Sequence, residues 1–196
     1  MCWISRMRAA DDTRPVPPAE RLDAWLPEPA VHTHHRREAD AAPDALWAAA
    51  SGVRLSDTRT LGRLVRWRIP GLHPSLTYGE LFRAYPFTVL DEGEQHLIAG
   101  LCGRIWTLGR DYPRLDGPEA FRDWDEPGTV RVLFGHWVEP APGGRAALVS
   151  EARVKPTDRV AGLRLRALWR IIGPFERLVG AEAIATAARA GELRGR

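Results

Sequence analysis

The hydrophobic period of the chain changes at Asp158, and no other feature restricts the possible folds as much. Before it lie segments of period two joined by glycine turns; after it a 3.6-residue period runs almost to the C-terminus. Tyr85, Phe87 and Val89 alternate with smaller or polar neighbours. Asp91 to Glu94 turns around Gly93, and a long strand is expected over 96–106. A second hairpin is expected from strands 130–139 and 146–155, with Gly143 and Gly144 at its tip. A strand of period two presents an apolar face, so each hairpin needs a cover, and an amphipathic helix supplies one. In the helix that follows, Ala161, Leu165, Leu168, Ile172, Phe175 and Val179 share a stripe, flanked by Val160, Ala167, Ile171 and Leu178. Arg159, Arg166, Arg170 and Arg177 lie opposite, while Arg164 falls inside the apolar arc. Asp158 is its expected cap, and Gly173-Pro174 is expected to kink or break it.

The first half reads differently. Residues 1–19 are polar and proline-rich (Pro15, Pro17, Pro18) and form a flexible arm in this reading. A short helix over 20–26 docks through Leu22, Trp25 and Leu26, and Pro27 and Pro29 end it. A strand is expected over 31–39. A helix follows over 44–51, opened by Pro43, with Leu46, Trp47 and Ala50 inward. A second helix is capped by Ser56 or Asp57 and runs to 68, with Leu61, Leu64 and Val65 inward and Pro70-Gly71 as its stop. Between the two hairpins, a helical turn is expected over 118–124, and Gly100 and Gly103 are expected to let the long strand bend. The order strand, helices, antiparallel strands, long helix is an α+β architecture with one buried sheet face. At 196 residues, one domain over 20–196 plus the arm is the expected organisation.

Several classes are disfavoured by composition. Net charge is +3, but all basic residues except Lys155 are arginines, interspersed with acids along most of the chain. A nucleic-acid binder concentrates its charge in one stripe, so no nucleic-acid partner is expected. No window has the 18 consecutive apolar residues of a membrane span. The first residues lack the apolar core of a secretory signal, so a cytoplasmic protein is expected, with Met1 or Met7 as its start. Cys2 and Cys102 show neither zinc spacing nor a plausible pairing. There is no GxSxG elbow, P-loop or dinucleotide fingerprint, and no cofactor is expected.

The junction before the last helix carries a more specific pattern: Glu151-Ala152-Arg153-Val154, Thr157-Asp158, Arg164, Trp169, Ile172 and Gly173-Pro174. It resembles the START-like helix-grip (SRPBCC) superfamily. Bacterial members of it carry a TETRV…TD…RF…YWRLI.P run here. Ala152 stands in place of a Thr, Leu165 of a Phe and Leu168 of a Tyr. The resemblance covers about residues 22–193. It implies a curved antiparallel sheet wrapped around a long C-terminal helix, with an apolar pocket between them. The pattern holds no catalytic motif, so it transfers a fold and a cavity rather than an activity.

Three groups of residues are candidates for chemistry. His32 and His34 share one face of their strand and His35 points away, which leaves two ligands for a metal that needs three or four; an exposed polar strand is the plainer reading. His136 lies on the apolar face of its strand with Val130, Val132, Phe134 and Val138. It is either a core histidine with a backbone or water partner, or the group that orients a ligand. Arg164 needs a carboxylate, an anionic ligand or access to solvent. Glu151 is the expected structural partner, with snorkelling to the surface as the alternative.

With Phe87, Phe134, Leu165 and Leu168, His136 and Arg164 would line a pocket for a small hydrophobic molecule, carried or sensed. The superfamily's polyketide cyclase/dehydratase branch suggests an enzyme instead, with His136 as general base and Arg164 stabilising an enolate. A structural or interaction module with a collapsed cavity is the third reading. None of the three fixes an oligomeric state.

One test follows from the sequence alone. The arm has too few apolar side chains to offset an ordering cost of roughly 1–2 kcal/mol per residue. A chain starting at Ala19 is therefore expected to match the full chain in stability to within about 0.5 kcal/mol. Comparing their thermal melts checks this, and a fall of many degrees would make the arm part of the fold.

Overall fold

Strand pairing follows the chain's own hairpins, with one long-range closure. In the computed structural model, five antiparallel strands form one open sheet: β1 (Val31–Ala39), β2 (Thr88–Gly93), β3 (His96–Gly103), β4 (Val130–Ala141) and β5 (Arg145–Pro156). Their order is β1-β5-β4-β3-β2, so the first strand lies beside the last and the others form a meander. The helices are α1 (Pro18–Trp25), α2 (Pro43–Ser51), α3 (Leu61–Arg68), α4 (Tyr78–Arg83), α5 (Pro118–Arg122) and α6 (Arg159–Arg194). The structure describes residues 18–58, 61–68, 71, 73–107, 109 and 111–194. For residues 18, 19, 61, 64, 67, 68, 174–184, 193 and 194 it describes the backbone alone. The arm, Leu61, Leu64 and Pro70, Phe175, Leu178 and Val179 of the expected apolar face, and Arg177 opposite it lie outside the described side chains.

Strand β4 organises the sheet. It is paired along its length with β5 and, over 130–137, with β3, so its alternate side chains sort the interior into two compartments. On the front, Val130 and Val132 pack with Leu101, Tyr112, Val154 and Leu165 of α6. Further along, Val138 packs with Leu148, Leu46 and Ala50 of α2, and Ala187 and Ala188 of α6. On the back, Leu133 and Trp137 meet Ile98, Cys102, Val149, Leu22 and Leu26 beside α1, and Phe121 of α5. Both faces are therefore buried. This corrects the expectation of a single buried face: α1 and the segment around α5, short as they are, bring enough leucine and aromatic surface to close the second one.

Helix α6 is opened as the sequence implied. Asp158 accepts a hydrogen bond from the Ala161 amide (2.7 Å) and another from the Gly128 amide (2.6 Å), tying the helix start to the turn before β4. Those backbone donors hold its carboxyl below the usual range. The helix continues without a break through Gly173 and Pro174, where a kink or a brief break was expected. It lies mainly over β1, β5 and α2. The β3 side of the front is covered instead by Leu55, Leu81 and Phe82 on Leu97 and Ala99.

Other boundaries moved for local reasons. Strand β2 starts at Thr88 rather than Tyr85, because Ala84 to Phe87 forms a turn closed by Phe87 N–H to Ala84 O (2.9 Å). Before that turn stands α4, which the sequence reading did not contain. Gly100 serves close packing. A Cβ there would sit 2.6 Å from the Phe121 ring.

Gly135 has the same role on β4, where a Cβ would meet Leu22 Cδ2 at 2.7 Å. Gly135→Val is expected to lose about 1–3 kcal/mol by overpacking against α1. Leu22→Ala is expected to lose about 2–5 kcal/mol by itself. Combined, they should cost clearly less than their sum, because the valine fills the space the leucine leaves. Denaturant melts of the three variants test this, and strict additivity would show that the two residues do not share a site.

Candidate functional site

A pocket opens on the front of the sheet where α2, α4 and the C-terminal part of α6 converge. Trp47, Ala50 and Ser51 of α2, Tyr78, Gly79 and Phe82 of α4, and Ala187 of α6 line it. Val53 and the strand residues Leu97, His136, Leu148 and Ser150 complete the wall. The free space is about 30 Å³, room for a water or two by the usual packing of buried water. The lining is mostly apolar, with His136 and Ser150 directly opposite each other on adjacent strands.

His136 is 7% exposed, and its Nε2 is buried without a hydrogen-bond partner. Its ring meets Phe82 at 4.7 Å and Tyr78 at 5.2 Å between centroids. These neighbours give nothing to an imidazolium's N–H groups, and burial pushes the imidazole down to about 3. The ring is therefore neutral at physiological pH. Burial also pushes the Tyr78 phenol up, so it remains protonated. On the same sheet face, Thr33 lies opposite Ala152, which is itself opposite Phe134, and Thr33 Oγ1 is the other buried side-chain atom without a partner among the described residues.

Helix α4 places two of the pocket's aromatics by a reciprocal cap. Thr77 Oγ1 accepts from the Glu80 amide (3.3 Å), and the Thr77 amide donates to Glu80 Oε2 (2.8 Å). Tyr78 N–H donates to Val53 O (2.7 Å), fixing the first turn against the segment after α2. Thr77-Tyr78-Gly79-Glu80 was the signal available for this helix: a Thr followed three residues later by Glu. Of the lining residues, the sequence marks only His136 as a site residue; it places Trp47 and Ala50 inward on their helix and does not single out Tyr78, Phe82 or Ser150.

The six expected ligand residues do not line one pocket. His136 is in the pocket wall. Phe87 and Phe134 stand behind it, packed on Phe82 at 4.9 and 5.4 Å and on each other at 5.7 Å. Leu165 is buried with Val132 and Val154 in a cluster on which Phe87 and Phe134 also pack, away from the pocket wall, and Leu168 is half-buried on the same helix. Arg164 is exposed, its guanidinium 5.8 Å from the centre of the Trp106 ring. Glu151, its expected partner, faces the back of the sheet instead. There it bonds Arg153 Nε (2.6 Å) and lies 3.0 Å from His32, while Arg153 also reaches Asp23 and the Leu26 carbonyl. Alternation decides this: Glu151 shares a sheet face with Arg153 rather than with the front of β5. His32 and His34 share a face, and His32 is held by Glu151.

Comparison with known proteins adds little. No protein-family model matches the chain, and no curated protein does. Among solved structures, the chain is similar to TTHA0849 from Thermus thermophilus at 10% identity and a TM-score of 0.35, over 85% of this chain and 100% of that one. It is also similar to the hypothetical protein jhp0584 from Helicobacter pylori at 9% identity and a TM-score of 0.37, over 100% and 99%. No described helix is long and apolar enough to cross a membrane.

The buried imidazole has a pH signature. Its folded value lies below the unfolded value of about 6.5, so between the two the unfolded chain binds more protons. Its contribution to stability is complete above pH 6.5 and is lost as pH falls toward 3. Relative to His136→Phe, the native protein is expected to lose about 2 kcal/mol between pH 7 and pH 5. Parallel stability curves for the two proteins over that range would show that the ring is not buried neutral.

Proposed function

We propose that the protein binds a small, mainly apolar molecule in the pocket beneath α2 and α4, and that His136 orients it through one hydrogen bond. The observation that carries this reading is the unpartnered Nε2 of a buried imidazole in an apolar wall. Buried polar atoms are normally satisfied, and leaving one bare costs on the order of 1–3 kcal/mol. A ligand carbonyl or hydroxyl supplies the missing partner, with Ser150 across the strand pair as a second polar contact. The free space of about 30 Å³ means that binding requires the wall to move. Trp47 and Tyr78, both half-buried in that wall, are the large side chains placed to yield. The strand order, with β1 beside β5 and a long helix after it, supports the helix-grip resemblance from which a cavity was expected.

Two alternatives carry different expectations. The cyclase-like enzyme requires His136 and Arg164 on one ligand, and Arg164 lies away from this pocket, on Trp106. A neutral imidazole with a value near 3 is also a weak base for proton abstraction at pH 7. The small free volume favours the other alternative, an interaction module whose cavity has collapsed.

Native mass spectrometry of freshly purified protein, beside a denatured sample, separates the readings. A bound organic mass that disappears on denaturation, and is absent from Ala50→Leu, is the expected result. The bare chain mass, together with no thermal shift from a panel of apolar alcohols and ketones, would favour the collapsed module. Retention of the mass in Ala50→Leu would place the ligand elsewhere.

A further inference from the structure

Among the described residues, the large apolar side chains most exposed lie on one element. Val160 is 54% exposed, Leu163 64% and Ile171 69%, all in the first four turns of α6. At about 100° per residue, Val160, Leu163, Ala167 and Ile171 fall within an arc of about 80°. Ala167 is exposed with them. Arg159, Arg166 and Arg170 run along one edge of this stripe and Arg164 along the other, and all four are exposed. Residues 159–173 hold these four arginines and no acidic side chain. The buried contacts of this half of the helix are made by Ala161 and Leu165 on a separate stripe.

We infer that this outer face of α6 docks on an anionic lipid surface, lying in the interface rather than crossing it. An apolar ridge edged by cations is the pattern that seats in the boundary between headgroups and acyl chains, where the arginines meet lipid phosphates. The half-buried Trp106 beneath Arg164 adds an aromatic of the kind enriched at that depth. The charge distribution selects this occupant. A second copy of the chain would bring eight arginines together with no carboxylate from this stretch to balance them. A nucleic-acid backbone would meet the arginines but leave the central ridge of Val160, Leu163 and Ile171 without an apolar partner. The inference is independent of the pocket, which lies on the other side of the helix and toward its far end.

Co-sedimentation of the full chain with vesicles tests it. Binding is expected to vesicles of phosphatidylcholine with 30% phosphatidylglycerol, and to fall at least tenfold on phosphatidylcholine alone or in 0.5 M NaCl. Leu163→Ser with Ile171→Ser should weaken binding at least tenfold with an unchanged melting temperature, since both side chains are in solvent. Arg166→Gln with Arg170→Gln should weaken binding to the anionic vesicles and leave any residual binding to the neutral ones unchanged. No binding to the anionic vesicles overturns the inference, as does binding indifferent to both double variants. Concentration-dependent dimers that Leu163→Ser dissolves would overturn it in favour of a self-interface.

Discussion

Everything in this fold hangs on β4 being buried on both sides. A strand paired with two neighbours has no free backbone groups, so its fate is set by side chains alone. Here Val130, Val132, Phe134, His136 and Val138 face one way, and Leu133, Gly135 and Trp137 the other. Neither set can be given to water, so the chain must supply two covers. The long helix α6 with α2 and α4 provides the front, and the much smaller α1 and α5 provide the back. A one-residue slip in register would exchange Gly135 with His136 and place an imidazole against Leu22. The arrangement admits one register.

How much of this was readable depended on element length and on whether the deciding contacts were local. Strand β1 occupies the expected residues, β4 and β5 extend theirs by one or two, and the Asp158 cap is in place. These elements are long, strongly patterned or opened by a side chain that acts within one turn. Helix α4 is only six residues long and preceded by prolines and glycine, and its aromatics continue into Tyr85 and Phe87, so alternation there imitated a strand. Its reciprocal Thr77–Glu80 cap was the local clue.

The candidate site was less legible than the fold because its members meet only through tertiary placement. His136 could be assigned to the front face from alternation. Its neighbours Tyr78 and Phe82 come from a segment more than fifty residues earlier, and nothing in the spacing links them. Arg164 was misplaced for a geometric reason. The apolar arc of α6 is broad in sequence, but the helix lies mainly over β1, β5 and α2, so its first half buries a narrow stripe. A residue at the margin of the arc then emerges into solvent, where Arg164 rests on Trp106.

The contact between Leu22 and Gly135 has a consequence for how such a chain can change over time. Gly135 lets α1 approach β4 to the limit of contact, and the next residue along is the histidine of the pocket on the opposite face. The height of that histidine is thus set from behind the sheet, by a helix that never touches the pocket. A lineage that enlarges residue 135 must shrink residue 22 at nearly the same time, or the imidazole moves with the strand. A change at Leu22 in the N-terminal helix is therefore felt at the pocket, although the two lie on opposite faces of the sheet.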